Sequence, residues 1–431
     1  MTSIHETAYP RFKPDLTQRE LDEIYTPNET EQRFARRLGR SNASRLYLMI
    51  LLKTVQRLGY FPMVADVPPS IVSFVTKALG LKLVPLCALV EEEKSRSRRD
   101  FIDAIRAHLK IHPITKDTDK AIELAATQAA QTKQELADII NVIIEELIRQ
   151  RYELPAFSRL NRTAFRIRNQ VNELYYHTLT DPLPAAVTSQ FDAMLTLSAG
   201  QLVTGWQQIK QDPKKPTNTE VRQYLERVKW LKSWACELPQ VDHIPVVKRG
   251  QYVYEARALD AADLKAMQQN KRYALMVLLF HAQLSKALDD AVDIFVRKMR
   301  KLHSGALEQL QLYYQEHQKR AEKLVSQLRD VLEAFQEGET DQDRGKRIAG
   351  AMHDNPEKLL AECEEHMAYA GNNYLPFMLV PYQTQRPLLL NCLGLLDLES
   401  TSADLSLIES IRFVLANRQS HKEWLSCLLY T

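Results

Sequence analysis

The chain of 431 residues holds only 12 glycines. Scarce glycine, set among long runs of Leu, Ala, Glu, Lys and Arg, favours helix over strand, because these are the strong helix formers. Cysteine is equally sparse: Cys87, Cys236, Cys363, Cys392 and Cys427 are scattered, odd in number and never paired as CxxC. That spacing excludes a disulfide framework and a zinc-finger type of site, and reduced, mostly buried thiols are expected. No stretch approaches the roughly 18 uninterrupted apolar residues of a membrane span, and the opening MTSIHETAYPRFKPDLT has no apolar core for a signal peptide. A cytoplasmic chain with no membrane partner is expected. Also missing are GxxxxGK[ST], GxSxG and GxGxxG, so neither a phosphate loop, a nucleophile elbow nor a dinucleotide fingerprint is available.

What is present is an ordinary globular balance, 45% hydrophobic and 26% charged, at a length that needs two or three cores. The net charge of +3 conceals a polarity: residues 1–110 carry 18 Lys and Arg against 13 Asp and Glu, and residues 301–431 carry 13 against 19. Such a chain is suited to meet a polyanion with its front half.

Helix signals organise the chain as all-α. Asp15 and Thr17 can cap a helix over Gln18 to Tyr25, Thr26-Pro27-Asn28 ends it and starts a second, and Ala43 to Leu58, apolar on nearly every side, reads as a buried central helix. With a helix after Pro68-Pro69 this makes a first small module, residues 1–85. A second, residues 86–180, is marked by Leu136, Ile139, Ile140, Ile143, Ile144, Leu147 and Ile148 at helical spacing, and by a helix from Ser158 to Tyr176 with Leu160, Ala164, Ile167, Val171 and Leu174 inward. After Asp181-Pro182-Leu183-Pro184, residues 181–431 form a long-helix scaffold or dimerisation region. There Lys214-Lys215-Pro216 and Gln240 to Gly250 are loops, the latter with Val-Val and Tyr-Val-Tyr neighbours that suggest a small hairpin, and Ala262 to Phe335 suggests two or three long amphipathic helices.

Between Glu31 and Asp66 there is no carboxylate, yet Arg33, Arg36, Arg37, Arg40, Arg45, Lys53 and Arg57 all fall there. At about 100° per residue, Arg33, Arg36, Arg37 and Arg40 share one wedge while Phe34 and Leu38 point toward a core. A row of guanidinium groups can grip phosphates and supply salt-dependent DNA affinity. The plainer reading is a solvated face, which most charge runs are, but solvated faces usually mix both signs. A second ridge, Arg159, Arg162 and Arg166 with Arg168 on the far flank, suits a helix packed on one side and lying on DNA by another; structure and DNA contact are equally good readings of it. Asn161, Asn169 and Gln170 stand near enough to read base edges.

No catalytic or metal-ligating set emerges. Asp289, Asp290 and Asp293, like Glu362, Glu364, Glu365 and His366, read as solvated helix faces, and His108-Leu-Lys-Ile-His112 lacks the glutamate of metalloprotease helices.

Three blocks in order carry a resemblance. The first is Thr17 to Leu21 (T-x-x-E-L), Glu31 to Phe34 (E-x-x-F) and Arg45 to Pro62 (R-L-x-L-x-x-x-L-K-x-x-x-x-L-G-x-F-P). The second is ELPAFSRLNRTAFRIRNQVN, and the third runs from Asn270 to Met299. From about residue 8 to about 425 the chain resembles the N-terminal portion of Tn-three-family transposases. The resemblance implies an all-helical region that recognises terminal inverted repeats of a transposon as double-stranded DNA. A homodimer or a pairing with full-length transposase is implied as well, as is a bacterial, nucleoid-associated location. In the family an RNase H-like domain with a metal-binding Asp-Asp-Glu triad follows, and magnesium is expected only there. This chain ends in SCLLYT, unlike the family's continuation, so a chain lacking that domain, with no catalytic residue and no cofactor of its own, is expected. The rival reading is a non-catalytic remnant that pairs with full-length transposase and regulates or blocks it.

Overall fold

Each early helix begins where a side chain can satisfy its free amides. Thr17 and Glu20 form a reciprocal capping box at the start of α1 (Gln18–Tyr25). Asn28 and Glu31 do the same for α2 (Glu29–Leu38), both bonds being 2.8 Å. In the computed structural model, residues 2–82, 84–197, 200, 202–212, 217–352 and 355–420 are described. The chain continues through α3 (Asn42–Leu58), α4 (Pro69–Ala78), α5 (Leu86–Lys94), α6 (Ser97–Leu109), α7 (Lys116–Thr132), α8 (Leu136–Arg149), α9 (Phe157–Thr180) and α10 (Ala185–Met194). Beyond these come α11 (Gly205–Ile209), α12 (Asn218–Ala235), α13 (Val246–Ala258), α14 (Ala261–Ala266), α15 (Gln269–Glu337), α16 (Asp341–Ala351), α17 (Pro356–Ala368), α18 (Leu375–Leu395) and α19 (Ser406–Ala416). Among the described residues the fold is all-α, with a lone β-bridge between His112 and Tyr152. The Lys214–Pro216 loop and the SCLLYT terminus lie outside the described residues.

The chain forms two compact units, Met1–Ala199 with Pro239–Leu279, and Gly200–Leu238 with Phe280–Thr431. In the first, α3 is central: Leu46 to Leu52 are all buried, and α1, α2, α4, α5 and α6 pack around it. Each such aliphatic side chain contributes roughly 1.5–3 kcal/mol on burial. Leu89 of α5 and Phe101 and Ile105 of α6 belong to this same core. The first core therefore extends well past residue 85, where the sequence suggested a boundary, because the apolar faces of α5 and α6 find their partners on α3.

A second core joins α7, α8 and α9, with Ala125, Ala126, Ala129 and Ala130 of α7 letting the helices approach closely. Ile139, Ile140, Ile143, Ile144 and Leu147 are buried as their spacing implies, whereas Ile148 and Leu174, at the edges of their stripes, are exposed.

Between the two cores runs a clasp of backbone hydrogen bonds: His112 N to Arg151 O at 2.8 Å, Glu153 N to His112 O at 3.0 Å and Leu154 N to Gly59 O at 2.8 Å. Gly59 ends α3 at φ +75°, and a Cβ there would lie 2.9 Å from Leu154 Cδ1. Both the left-handed backbone and the close approach require glycine.

The Val-Val and Tyr-Val-Tyr residues expected to form a hairpin lie instead in α13, which starts behind Pro245 and buries Lys248, Tyr252 and Ala256. Packing of that face outweighed the strand preference of Val and Tyr. Lys248 Nζ donates to Lys133 O at 3.1 Å and to Gln134 Oε1, with no carboxylate in its ion-pair range among the described residues. Burial first, then the positive charge of Arg168, brings its ammonium down from 10.5 to about 8. Between those values the unfolded chain binds more protons than the folded one, so stability rises with pH across that window; below about 8 the buried-charge penalty is constant. Lys248→Met is expected to abolish the rise, as read from urea unfolding midpoints between about pH 7.5 and 9.5. Parallel wild-type and variant profiles would refute this.

In the second unit, α12 packs on α18, and Trp234 lies against Phe280 of α15 with ring centroids 4.9 Å apart. The region read as two or three long helices is the short α14 followed by one uninterrupted helix of 69 residues, α15. Gly305 lies inside this continuous helix at a point where a Cβ would meet nothing within 4 Å. Toward its end Val325, Leu328, Leu332 and Phe335 are exposed. Of the described cysteines, Cys392 is buried but Cys87 and Cys236 are exposed, which corrects the expectation of mostly buried thiols.

Candidate nucleic-acid interface

The arginine wedge of α2 stands on a firm base. Phe34 is buried and stacks on His108 of α6 at 4.6 Å between ring centroids, so the opposite side of the helix faces solvent. Arg36 and Arg37 are exposed and, among the described residues, make no ion pair; the Arg37 guanidinium rests 6.0 Å from the Phe34 ring centroid. Arg33 is exposed and shares a surface pair with Glu29 at 2.9 Å, a contact of little energetic weight that a phosphate can displace. Arg40 is exposed in the bend after the cap residue Gly39, and Arg57 is exposed in the last turn of α3.

Two residues of this group belong to the interior instead. Lys53 is 7% exposed, and its Nζ lies 3.1 Å from Glu31 Oε2, so it is a buried ion-pair partner and not a phosphate contact. The window without acids in sequence is closed in space by Glu31, which caps α2, accepts from Gln56 Nε2 at 2.8 Å and holds Lys53 at once. Burial alone pushes the Glu31 carboxyl up, but hydrogen bonds from Gln56, the Asn28 backbone and Lys53 together hold it below the usual carboxylate range. Arg45 is half-buried and its Nε donates to Gly39 O at 3.0 Å, closing the α2–α3 turn.

The second ridge is likewise less bare than its sequence. Arg159 pairs with Asp119, and Arg166 with Glu123 at 2.5 Å, both acids being on α7. Arg162 is exposed and donates to Ser158 O at 3.2 Å. Arg168 turns inward: half-buried, it donates to Gln134 O at 3.4 Å and lies 5.3 Å from the Phe165 ring centroid. Of the polar neighbours, Asn161 is buried while Gln170 is exposed.

Sequence reading passed over a third cationic group. Lys94, Arg96, Arg98, Arg99 and Arg106 line a groove of about 800 Å³ at the α5–α6 turn. Three glutamates precede them, so the stretch looks neutral along the chain. In space Glu93 accepts from Val64 N at 3.0 Å and pairs with Arg98, while Glu92 accepts from Ser41 Oγ at 3.4 Å. Two of the three glutamates are thus engaged by other residues while Glu91 is exposed, and the signal available was the density of cations in Lys94 to Arg99.

Two of the carboxylates weighed as metal ligands are otherwise engaged: Tyr224 Oη donates to Asp290 Oδ2 at 2.8 Å, and Asp293 pairs with Arg297 at 3.5 Å. Among the described residues no three His, Cys, Asp or Glu side chains are grouped to hold a metal ion.

An all-helical protein with an exposed arginine edge on its first core is thus the class defined by fold and surface. Residues 1–167 match a family model described as a domain of unknown function, DUF4158. The chain is similar to the transposase for transposon Tn501 of Pseudomonas aeruginosa, 25% identical over 72% of this chain and 31% of that protein. It is similar also to the transposase for transposon Tn3926 of Escherichia coli, 27% identical over 69% of this chain and 30% of that protein. With the transposase for transposon Tn1546 of Enterococcus faecium it shares 19% identity over 89% of this chain and 39% of that protein. Over most of its length the chain is thus similar to proteins named as transposases. The chain spans about a third of the length of the curated relatives it matches.

Proposed function

We propose that the chain serves DNA transposition by binding duplex DNA at the terminal inverted repeats of a mobile element. The observation that carries this reading is the α2 edge, where Arg36, Arg37 and Arg40 are exposed, free of ion pairs among the described residues and braced by Phe34 against the core. Similarity to proteins named transposases supports it. Phosphate contacts from these arginines fix the position of the helical modules, and exposed polar neighbours such as Gln170 supply base contacts. Arg57, Arg162 and, after exchange of their carboxylate partners, Arg33, Arg159 and Arg166 extend the positive surface. Binding needs no cofactor; magnesium belongs, on this reading, with strand-cutting chemistry in a separate catalytic domain. The setting is the bacterial cytoplasm, at the nucleoid. A mobility-shift titration tests the reading with an inverted-repeat duplex and a scrambled duplex of equal length. Tighter binding to the repeat is expected; equal affinity removes the sequence-specific claim, and no binding at low ionic strength removes the whole proposal.

A further inference from the structure

We infer that the groove at the α5–α6 turn is a second phosphate-binding surface that takes the sugar-phosphate backbone of the same duplex, an assignment that rests on the DNA-binding reading above. Its floor is rigid. Arg98 is held by Glu93 at 2.5 Å and donates to Tyr47 Oη at 3.2 Å, while Arg106 is held by the buried Glu153 at 2.6 Å and by Asp103 at 2.9 Å. With those two charges compensated, Lys94, Arg96 and Arg99 remain, all exposed and without an ion pair among the described residues, against a single lining carboxylate, Asp100. On a convex helix face three such cations would spread apart into solvent. Here a concave wall turns them on one volume, which raises the local potential and favours an anion over water.

Two further observations fit the same ligand. Arg96 occupies the cap position of the 13-residue α6 and provides no acceptor, so the positive end of that helix has no side-chain cap. Ser41 Oγ lies 3.4 Å from Glu92 Oε1, which sets the α2–α3 turn, with Arg40 next to it, beside the last turn of α5, with Lys94 two residues on. The groove and the α2 edge are therefore neighbours on one core.

The test is a salt titration of the full chain on the inverted-repeat duplex, comparing wild type, Arg96→Gln/Arg99→Gln and Lys94→Gln. The slope of log affinity against log salt should fall by about two for the double variant and about one for the single, at roughly 0.9 per lost phosphate contact. The preference for repeat over scrambled duplex should stay unchanged, because backbone contacts carry no sequence information. All three positions are exposed turn or helix-end sites, and the lysine variant keeps the α6 cap intact. Unchanged slopes in both variants, with the wild type binding normally, overturn the groove assignment alone. A wild type that binds no duplex overturns this assignment together with the reading it rests on.

Discussion

Arg36→Ala/Arg37→Ala is expected to weaken duplex binding by tenfold or more at low salt and to lower the salt slope by about two, at roughly one unit per phosphate contact. The argument starts from what the two side chains do in the free protein. Neither makes an ion pair among the described residues, and neither is buried, so their removal leaves no uncompensated partner behind. The fold should be indifferent: surface substitutions of this kind stay within about 0.5 kcal/mol of stability. A loss of binding with unchanged thermal unfolding thus reports the interface itself. Fluorescence anisotropy at several salt concentrations is the measurement, and an unaltered slope takes these two residues out of the interface.

The opposite behaviour is expected one turn away. Glu31→Ala removes the carboxylate that caps α2, accepts from Gln56 and neutralises Lys53, leaving an ammonium enclosed between α2 and α3. Breaking a buried pair in this way costs about 3–5 kcal/mol, and urea unfolding should show it. Glu31→Leu/Lys53→Met, which removes both charges, should lose markedly less; a double variant as damaged as the single would contradict the pairing. The pH dependence has a definite sign. Because the Glu31 carboxyl is held below its unfolded value of 4.5, its contribution is fully present above that value and fades as the folded form becomes protonated in more acid solution. In Glu31→Gln that part of the acid sensitivity disappears. Lys53→Met, unlike the Arg36/Arg37 variant, should leave the salt slope of DNA binding untouched.

How much of this was legible in the sequence depends on the range of the forces involved. Local signals were sufficient for α3, whose all-round apolar character matches its burial, and for the caps at Thr17 and Asn28, where donor and acceptor are three residues apart. The angular wedge of Arg33, Arg36 and Arg37 was also readable, because helix geometry alone sets it. What failed was any inference of isolation. Lys53 meets an acid 22 residues earlier, and Arg159 and Arg166 meet acids 40 and 43 residues earlier on α7. Conversely, Glu92 and Glu93, two of the three glutamates that mask Lys94 to Arg99 along the chain, are drawn away by Val64, Ser41 and Arg98. Charge balance in a sequence window says little about charge balance on a surface when helices from distant segments interleave. The helix at Val246–Ala258 was missed for a related reason, since Tyr252 and Lys248 are committed to partners near residues 133 and 172.

The clasp through Gly59, His112 and Leu154 bears on how a long target is grasped. Two recognition bodies joined by a floppy tether must search for the second landing place after finding the first, and lose orientational freedom on doing so. Here main-chain bonds join the two helical cores, so on the DNA-binding reading proposed above the spacing of their footprints along a double helix is set before any encounter. A target with half a helical turn inserted between its two contact regions would present the second on the far side, out of reach.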